Sequence, residues 1–303
     1  MKRGWIHWDH TEVPRAAFET RLEILRQSLL SNDLPAAVIY TDVWRSNQAR
    51  HFCNFMPYWN RALLVVPRDA PAILLCSLSP RVYPWIRSVT ILDDIRPSPN
   101  LAQQLLALAD EHGWNRLAVL DLPQLPHDLH RQLFTSQIHL FPLSLPFSAD
   151  NWELAMYRRA AQMARSTLDE ALPKAPGLTG HEFASRLERT LRRAGAEDLV
   201  TLLTSGRTVP APPTAEPLTP NFSVALALEY RGHWVKIARC ASPRDPFPSR
   251  IHVETLSGPY PYEVAARLAS PSLLALRFES QSEGLRLFHG DTYLSNDQGL
   301  QLL

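Results

Sequence analysis

Apolar residues follow two distinct rhythms along the 303 residues of this chain. Between Val13 and Leu30, Phe18, Leu22, Leu25 and Leu29 recur every three to four positions behind Pro14, which predicts an amphipathic helix. A strand is predicted at Ala36 to Tyr40. Branched apolar runs at Ala62 to Val66, Ile73 to Cys76, Val89 to Leu92 and Leu117 to Leu120 then alternate with helical segments at Leu101 to His112 and His127 to Phe134. This pattern predicts an α/β domain over residues 1–145. The stretch Pro142 to Asn151 mixes prolines with Ser148 and Asp150 and reads as a linker running into a helix start. Helices follow at Trp152 to Leu172 and Gly180 to Ala194, the second opening after Thr179 and closing before Gly195. Hairpins dominate from there on, so residues 146–303 are predicted to form an α+β domain.

The hairpin Asn221 to Cys240 can be sorted by parity, because successive strand side chains point to opposite faces. Val224, Leu226, Leu228, Val235 and Ile237 make one face greasy. The other carries Ser223, Ala225, Ala227 and Glu229 on one arm and Trp234, Lys236, Ala238 and Cys240 on its return. Pairing Glu229 with Trp234 across the turn Tyr230 to His233 sets Lys236 opposite Ala227 and diagonal to Ala225 and Glu229. An amine in a hollow of small residues has two readings. It is a cross-strand ion pair with Glu229, or it contacts a ligand anion or carbonyl, or acts as a desolvated base or nucleophile.

Composition narrows the function classes. Lys and Arg number 31 against 30 Asp and Glu, so no overall field draws in nucleic acid or anionic lipid, and neither partner is expected. Cys53, Cys76 and Cys240 lack CxxC spacing and read as reduced thiols rather than as a disulfide or zinc framework. The polar segment GWIHWDH follows the initial Met-Lys-Arg, and no apolar run is long enough to span a bilayer, so a cytoplasmic protein is expected. With 26 prolines, clusters such as Val209 to Pro220 predict long stiff connections. Only 11 glycines are present and no phosphate-cradling loop occurs, while Ser205 lacks a nucleophile elbow.

At RLEILRQSLLSNDLPAAVIY and FMPYWNRALLVVPRDAPAILLC the chain resembles the N-terminal domain of the creatinase, aminopeptidase P and prolidase family. NWELAMYRRAAQMARSTLDEAL is similar to the helix that opens the family's catalytic half, LLTSGRTVPAPPTAEPL to the loop before its hairpin, GHWVKIAR to the return strand, and GLRLFHGDTYLSNDQGLQLL to its closing hairpin. The resemblance implies a creatinase-like N-terminal domain, a mixed sheet with flanking helices, joined to a shortened pita-bread domain. It also implies a homodimer. The family's metallopeptidases hold two divalent ions with two aspartates, a histidine and two glutamates. Carried over, the aspartates fall on Ala225 and Lys236, one glutamate near Gly290, and the other near Phe278, or on Glu279 with the alignment shifted by one. The segment between Cys240 and Leu256 lacks a GHG-type loop for the histidine. Creatinase works without metal, but its histidine falls in Ala211-Pro212-Pro213 and its glutamate on Ala238.

The expectation is therefore a metal-independent enzyme without cofactor acting on a small amino-acid-like or amide-bearing molecule, with a non-catalytic binding or dimerisation scaffold as the competing reading. Lys236, Glu229, His289 and Asp291 are the candidate catalytic residues, with Glu279 as a further acid. Trp234, Tyr230 and Arg277, with His51, Trp59 and Arg61 from the cluster after the first strand (Trp44, Asn47 and Tyr58 among its neighbours), are the candidate substrate contacts. In GWIHWDH, His7, Asp9 and His10 are weighed as metal ligands against packing of Trp5 and Trp8.

Overall fold

The computed structural model describes residues 7–57, 59–145, 149–241, 250–256, 272–282 and 285–303. Trp5, Tyr58 and residues 242–249, part of the segment between Cys240 and Leu256 expected to lack a GHG-type loop, lie outside them. The chain divides into two compact units, Met1–Pro146 and Phe147–Leu303.

The first unit runs α1 (Arg15–Ser31), β1 (Ala36–Thr41), α2 (Asn47–Cys53), β2 (Ala62–Pro67), β3 (Ile73–Cys76), α3 (Tyr83–Val89), β4 (Asp94–Pro97), α4 (Leu101–Glu111), β5 (Arg116–Leu120), α5 (His127–Phe134) and β6 (His139–Leu143). Its sheet has the order β4-β3-β2-β1-β5-β6 and is mixed: β2 is antiparallel to both neighbours, and the other pairs are parallel. One face packs on α1, α2 and α3, the other on α4 and α5. Covering both faces explains why the middle strands are continuous apolar runs rather than alternating ones.

Two predicted features move. Val89 to Leu92 is not a strand, because Tyr83, Ile86 and Val89 bury one stripe of α3 and the Thr90 amide closes that helix on the Ile86 carbonyl. The strand is the half-polar β4, at the sheet edge. At the opposite edge β6 continues through Pro142, where a missing N–H costs no ladder bond, so the linker starts later than expected. The segment after β1, expected as loop, contains α2, which buries Ala49, Phe52 and Cys53 on one stripe.

The second unit runs α6 (Asn151–Ala171), α7 (Gly180–Arg193), β7 (Asp198–Leu203), β8 (Phe222–Tyr230), β9 (His233–Ala241), β10 (Arg250–Thr255), β11 (Ser272–Ser282), β12 (Leu285–Asn296) and β13 (Gly299–Leu302). Asp150 caps α6 by accepting the Glu153 amide at 2.9 Å. Thr179 and Glu182 form a reciprocal capping box at the start of α7. The sheet has the order β10-β11-β12-β9-β8-β7, with β13 on β12. Val224, Leu226, Leu228, Val235 and Ile237 bury against Met156, Ala160, Ala161, Ala164 and Leu168 of α6 and Phe183, Leu187 and Leu191 of α7. Each such branched side chain removed from water contributes about 1.5–3 kcal/mol, and this burial fixes which face of β8 and β9 is left for chemistry. Among the described residues, no helix is long and apolar enough to cross a membrane.

Candidate functional site

Arg231 and Gly232 both adopt positive φ, 47° and 77°, the turn that matches strand twist in a two-residue hairpin. This turn sets the β8–β9 register, with Tyr230 opposite His233, Glu229 opposite Trp234 and Ala227 opposite Lys236. Lys236 thus sits on the face of Ala225, Ala227 and Ala238, away from the helices, as parity requires.

The ammonium of Lys236 is ion-paired with the Glu254 carboxylate of β10. In the sheet order β9 and β10 are separated by β12 and β11. A flat sheet would hold them three spacings, about 14 Å, apart with parallel side chains, so the contact means that the sheet curls and this face is concave. Thr292 sits between them. Its hydroxyl donates to the Lys236 carbonyl at 2.9 Å and accepts the Lys236 amide at 3.0 Å. Ala275, paired with both Thr292 and Glu254, continues the small-residue floor.

Two to four residues further along β11 and β10 lies a second charged group on the same face. Glu279 is buried and receives Arg286 through Nε at 2.9 Å and through Nη2. Arg277 Nε lies 2.8 Å and His252 Nε2 3.1 Å from its oxygens, close as charges but without hydrogen-bond alignment. Burial pushes the Glu279 carboxyl up, but the Arg286 bonds and the charges of Arg277, Arg286 and His252 outweigh it and hold the group below the usual glutamate value. Phe278 has the opposite parity, so Glu279 is the acid on the concave face.

Several expected site residues are elsewhere. Asp291 and His289 alternate with Gly290, so they turn away from the Lys236 face. Asp291 is buried between Arg165 and Arg239, each at 2.9 Å. Arg239 also contacts Asp169 at 3.1 Å and donates to the carbonyls of Ala238 and Gly290. Asp291 is thus the centre of an ion-pair network on the helix side of the sheet, and His289 is exposed. Tyr230 has the parity of Leu228 and packs in the helix-covered core beneath the Arg159 guanidinium, 4.8 Å from its ring centroid. Of the expected catalytic and contact residues, Lys236, Glu229, Trp234 and Arg277 share the concave-face parity. Glu229 is fully buried at the turn end, and Lys236 is ion-paired with Glu254 of β10. Glu254, His252 and Arg286 were not anticipated, although the alternation Arg250, His252, Glu254 carried the signal.

His51, Trp59 and Arg61 belong to the first unit. His51 lies on α2 with its ring edge-on to Phe52, Trp59 is exposed, and Arg61 pairs with Asp128 at 2.8 Å. In the N-terminal segment Trp8 packs edge-on to Phe18 and donates to the Val13 carbonyl, while Asp9 accepts the Thr11 amide and hydroxyl, a turn rather than a metal cluster.

A mixed α/β unit followed by helices over a curled antiparallel sheet is the pita-bread class of architecture. The chain matches X-Pro aminopeptidase from Thermotoga maritima with a TM-score of 0.76 at 14% identity, covering 93% of this chain and 96% of that one. Xaa-Pro dipeptidase from Bacillus anthracis matches with a TM-score of 0.74 at 14% identity, over 94% and 97%. X-prolyl aminopeptidase from Caenorhabditis elegans, described as a cytosolic enzyme with a di-nuclear active site, matches with a TM-score of 0.68 at 12% identity, over 99% of this chain and 63% of that one. At such identities the likeness establishes the fold. No protein-family model matches the sequence, and no curated protein matches it.

Among the described residues, those at the positions carried over from the family do not fit a metal pair. Ala225 has no donor, Lys236 presents an ammonium, and the acid expected on β12 is Gly290, where a Cβ would lie 2.4 Å from the Leu276 carbonyl oxygen and 3.0 Å from the Arg277 Cα. That backbone contact leaves no room for a glutamate. Among the described residues no three His, Cys, Asp or Glu side chains are grouped to hold a metal ion.

Proposed function

We propose that the protein is a metal-independent enzyme that has rebuilt the pita-bread pocket around Lys236 for a small amino-acid-like or amide-bearing molecule, and that it works as a homodimer in the cytoplasm. The observation that carries this reading is the Lys236–Glu254 pair on a concave face floored by Ala225, Ala227, Ala238, Ala275 and Gly290. The floor residues put no bulk of their own beside the amine, and a fixed cation there polarises a carbonyl or holds a carboxylate. Glu254, bonded to the amine, is an adjacent group able to exchange a proton with it. The matched aminopeptidase and dipeptidase structures support an amide-like substrate class.

The competing reading, a scaffold with a vestigial pocket, is favoured by one observation: the Lys236 charge is already neutralised within the chain. The test is Lys236→Ala, assayed for binding and turnover against a panel of dipeptides, amino-acid amides and N-acyl amino acids. Loss of both, with the fold retained, supports the enzyme. A wild-type chain that neither binds nor turns over any of the panel, or a variant indistinguishable from it, supports the scaffold.

A further inference from the structure

Basic positions in this chain are almost always arginine. Of the 31, 28 are arginines, and only Lys2, Lys174 and Lys236 are lysines. Among the described residues, every ion pair other than that of Lys236 draws its cation from arginine or histidine. Lys174 is exposed in the turn after α6. An arginine would hold Glu254 across the curled sheet better than a lysine does, because its planar fork meets a carboxylate through two parallel N–H bonds. A guanidinium cannot, however, give up its proton at neutral pH and present a lone pair, whereas an ammonium beside a base can. Lysine at position 236 therefore departs from the chain's habit at the candidate site itself, in the direction of nucleophilicity.

The surroundings of the amine suit that chemistry. Glu254 is hydrogen-bonded to Nζ, and both side chains keep 31% exposure, so the acceptor for the ammonium proton is already in contact and the pair is open to solvent. Glu229 lies two positions beyond Ala227 on the same face but is fully buried, which leaves Glu254 as the acid able to meet a ligand as well as the amine. The buried Thr292 fixes the root of the side chain, since its hydroxyl bonds both the amide and the carbonyl of Lys236 beside the Gly290–Ala238 contact of β12 and β9. Ala227, opposite Lys236, and Ala275, opposite Thr292 and Glu254, end at Cβ and do not crowd an adduct on the nitrogen.

We propose that Lys236 is a covalent nucleophile that condenses with the carbonyl of a small aldehyde or ketone to form an imine, with Glu254 carrying the proton. Glu254 takes a proton from the ammonium, the freed amine attacks the carbonyl carbon, and the C–N bond forms as the carbonyl oxygen takes a second proton from the nitrogen. Glu254 then returns its proton to that hydroxyl, which leaves as water, and the product is a protonated imine. This rests on the proposed Lys236-centred pocket and narrows its small amino-acid-like molecule to one with an aldehyde or ketone carbonyl, because an amide carbonyl does not condense with an amine.

The experiment treats the full chain at neutral pH with propanal and sodium cyanoborohydride, which reduces an imine to a stable secondary amine, and follows labelling of each lysine by peptide mass spectrometry. Lys236 is expected to react about tenfold or more faster than the exposed Lys174 in the same sample. Labelling at Lys236 no faster than at Lys174 would overturn the proposal, and this comparison needs no variant. Glu254→Gln separates a proton carrier from a plain ion pair. A carrier predicts labelling slowed by about tenfold or more, whereas a plain pair predicts unchanged or faster labelling, because the amine is released. Lys236→Arg keeps a cation beside Glu254 and should lose the fast adduct together with any turnover; turnover retained in that variant would overturn the nucleophile and leave the polarising cation. Fast labelling of Lys236 by a chain that turns over none of the dipeptide and amide panel would keep the nucleophile and remove the amide-bearing class.

Discussion

Replacing Asp291 by alanine should destabilise the second unit severely while leaving the chemistry of the concave face in place. Both partners of Asp291 are largely buried: Arg239 has 10% and Arg165 26% side-chain exposure, against 7% for Asp291 itself. Removing the carboxylate strands two guanidinium groups on the helix side of the sheet. Asp169, the further acid bonded to Arg239, is 55% exposed and too well solvated to compensate. Breaking a buried pair by deleting one member costs about 3–5 kcal/mol. At about 2–4 °C per kcal/mol for a unit of this size, the melting temperature should fall by about 6–20 °C. Circular dichroism melting and urea unfolding measure this directly. A paired change, Asp291→Leu with Arg239→Met, should recover a large part of the loss, because apolar groups of similar volume replace a buried pair at little net cost. A variant that melts within about 2 °C of wild type yet loses all turnover would refute the structural assignment and return Asp291 to the catalytic set.

Gly290→Ala should lower stability by about 1–3 kcal/mol through overpacking, since the new Cβ meets backbone atoms of Leu276 and Arg277 rather than a movable side chain; chemical unfolding at matched m-value checks it. Glu279→Gln should weaken the protein at neutral pH, where the depressed carboxyl of the wild type is ionised and contributes. That contribution is lost as pH falls from about 4.3 through the lower folded value, so the difference between the two proteins should shrink on acidification, and a pH-independent difference would contradict the Glu279 network. In the native chain Cys240, which is partly exposed, should react first with Ellman's reagent. Burial pushes Cys53 up to about 12 and Cys76 up to about 11, so those thiols should be released only on unfolding.

The hairpin at the heart of the site was legible in the sequence because its determinants are local. A two-residue turn at Arg231-Gly232 fixes register, and period-two alternation then assigns each face. Tyr230 could have been placed by the same rule, since it continues the parity of Val224, Leu226 and Leu228. Asp291 and His289 could not be oriented that way without knowing that Gly290 pairs with Ala238, a contact between residues 52 positions apart. Lys236 and Glu254 meet only because the sheet curls across two intervening strands, and no local pattern encodes that curvature. In the first unit the middle strands were readable as apolar runs, whereas both edge strands, β4 and β6, were missed. An edge buries less, so polar residues and Pro142 are tolerated and the pattern fades.

The central claim is that Lys236 has replaced metal chemistry in this pocket. Native mass spectrometry of protein purified without chelator tests it most directly, because one spectrum reports bound metal, subunit number and any retained small molecule. A dimer without stoichiometric metal, carrying a small-molecule adduct that disappears in Lys236→Ala, is the predicted result. Stoichiometric zinc, manganese or iron retained by each chain would contradict it.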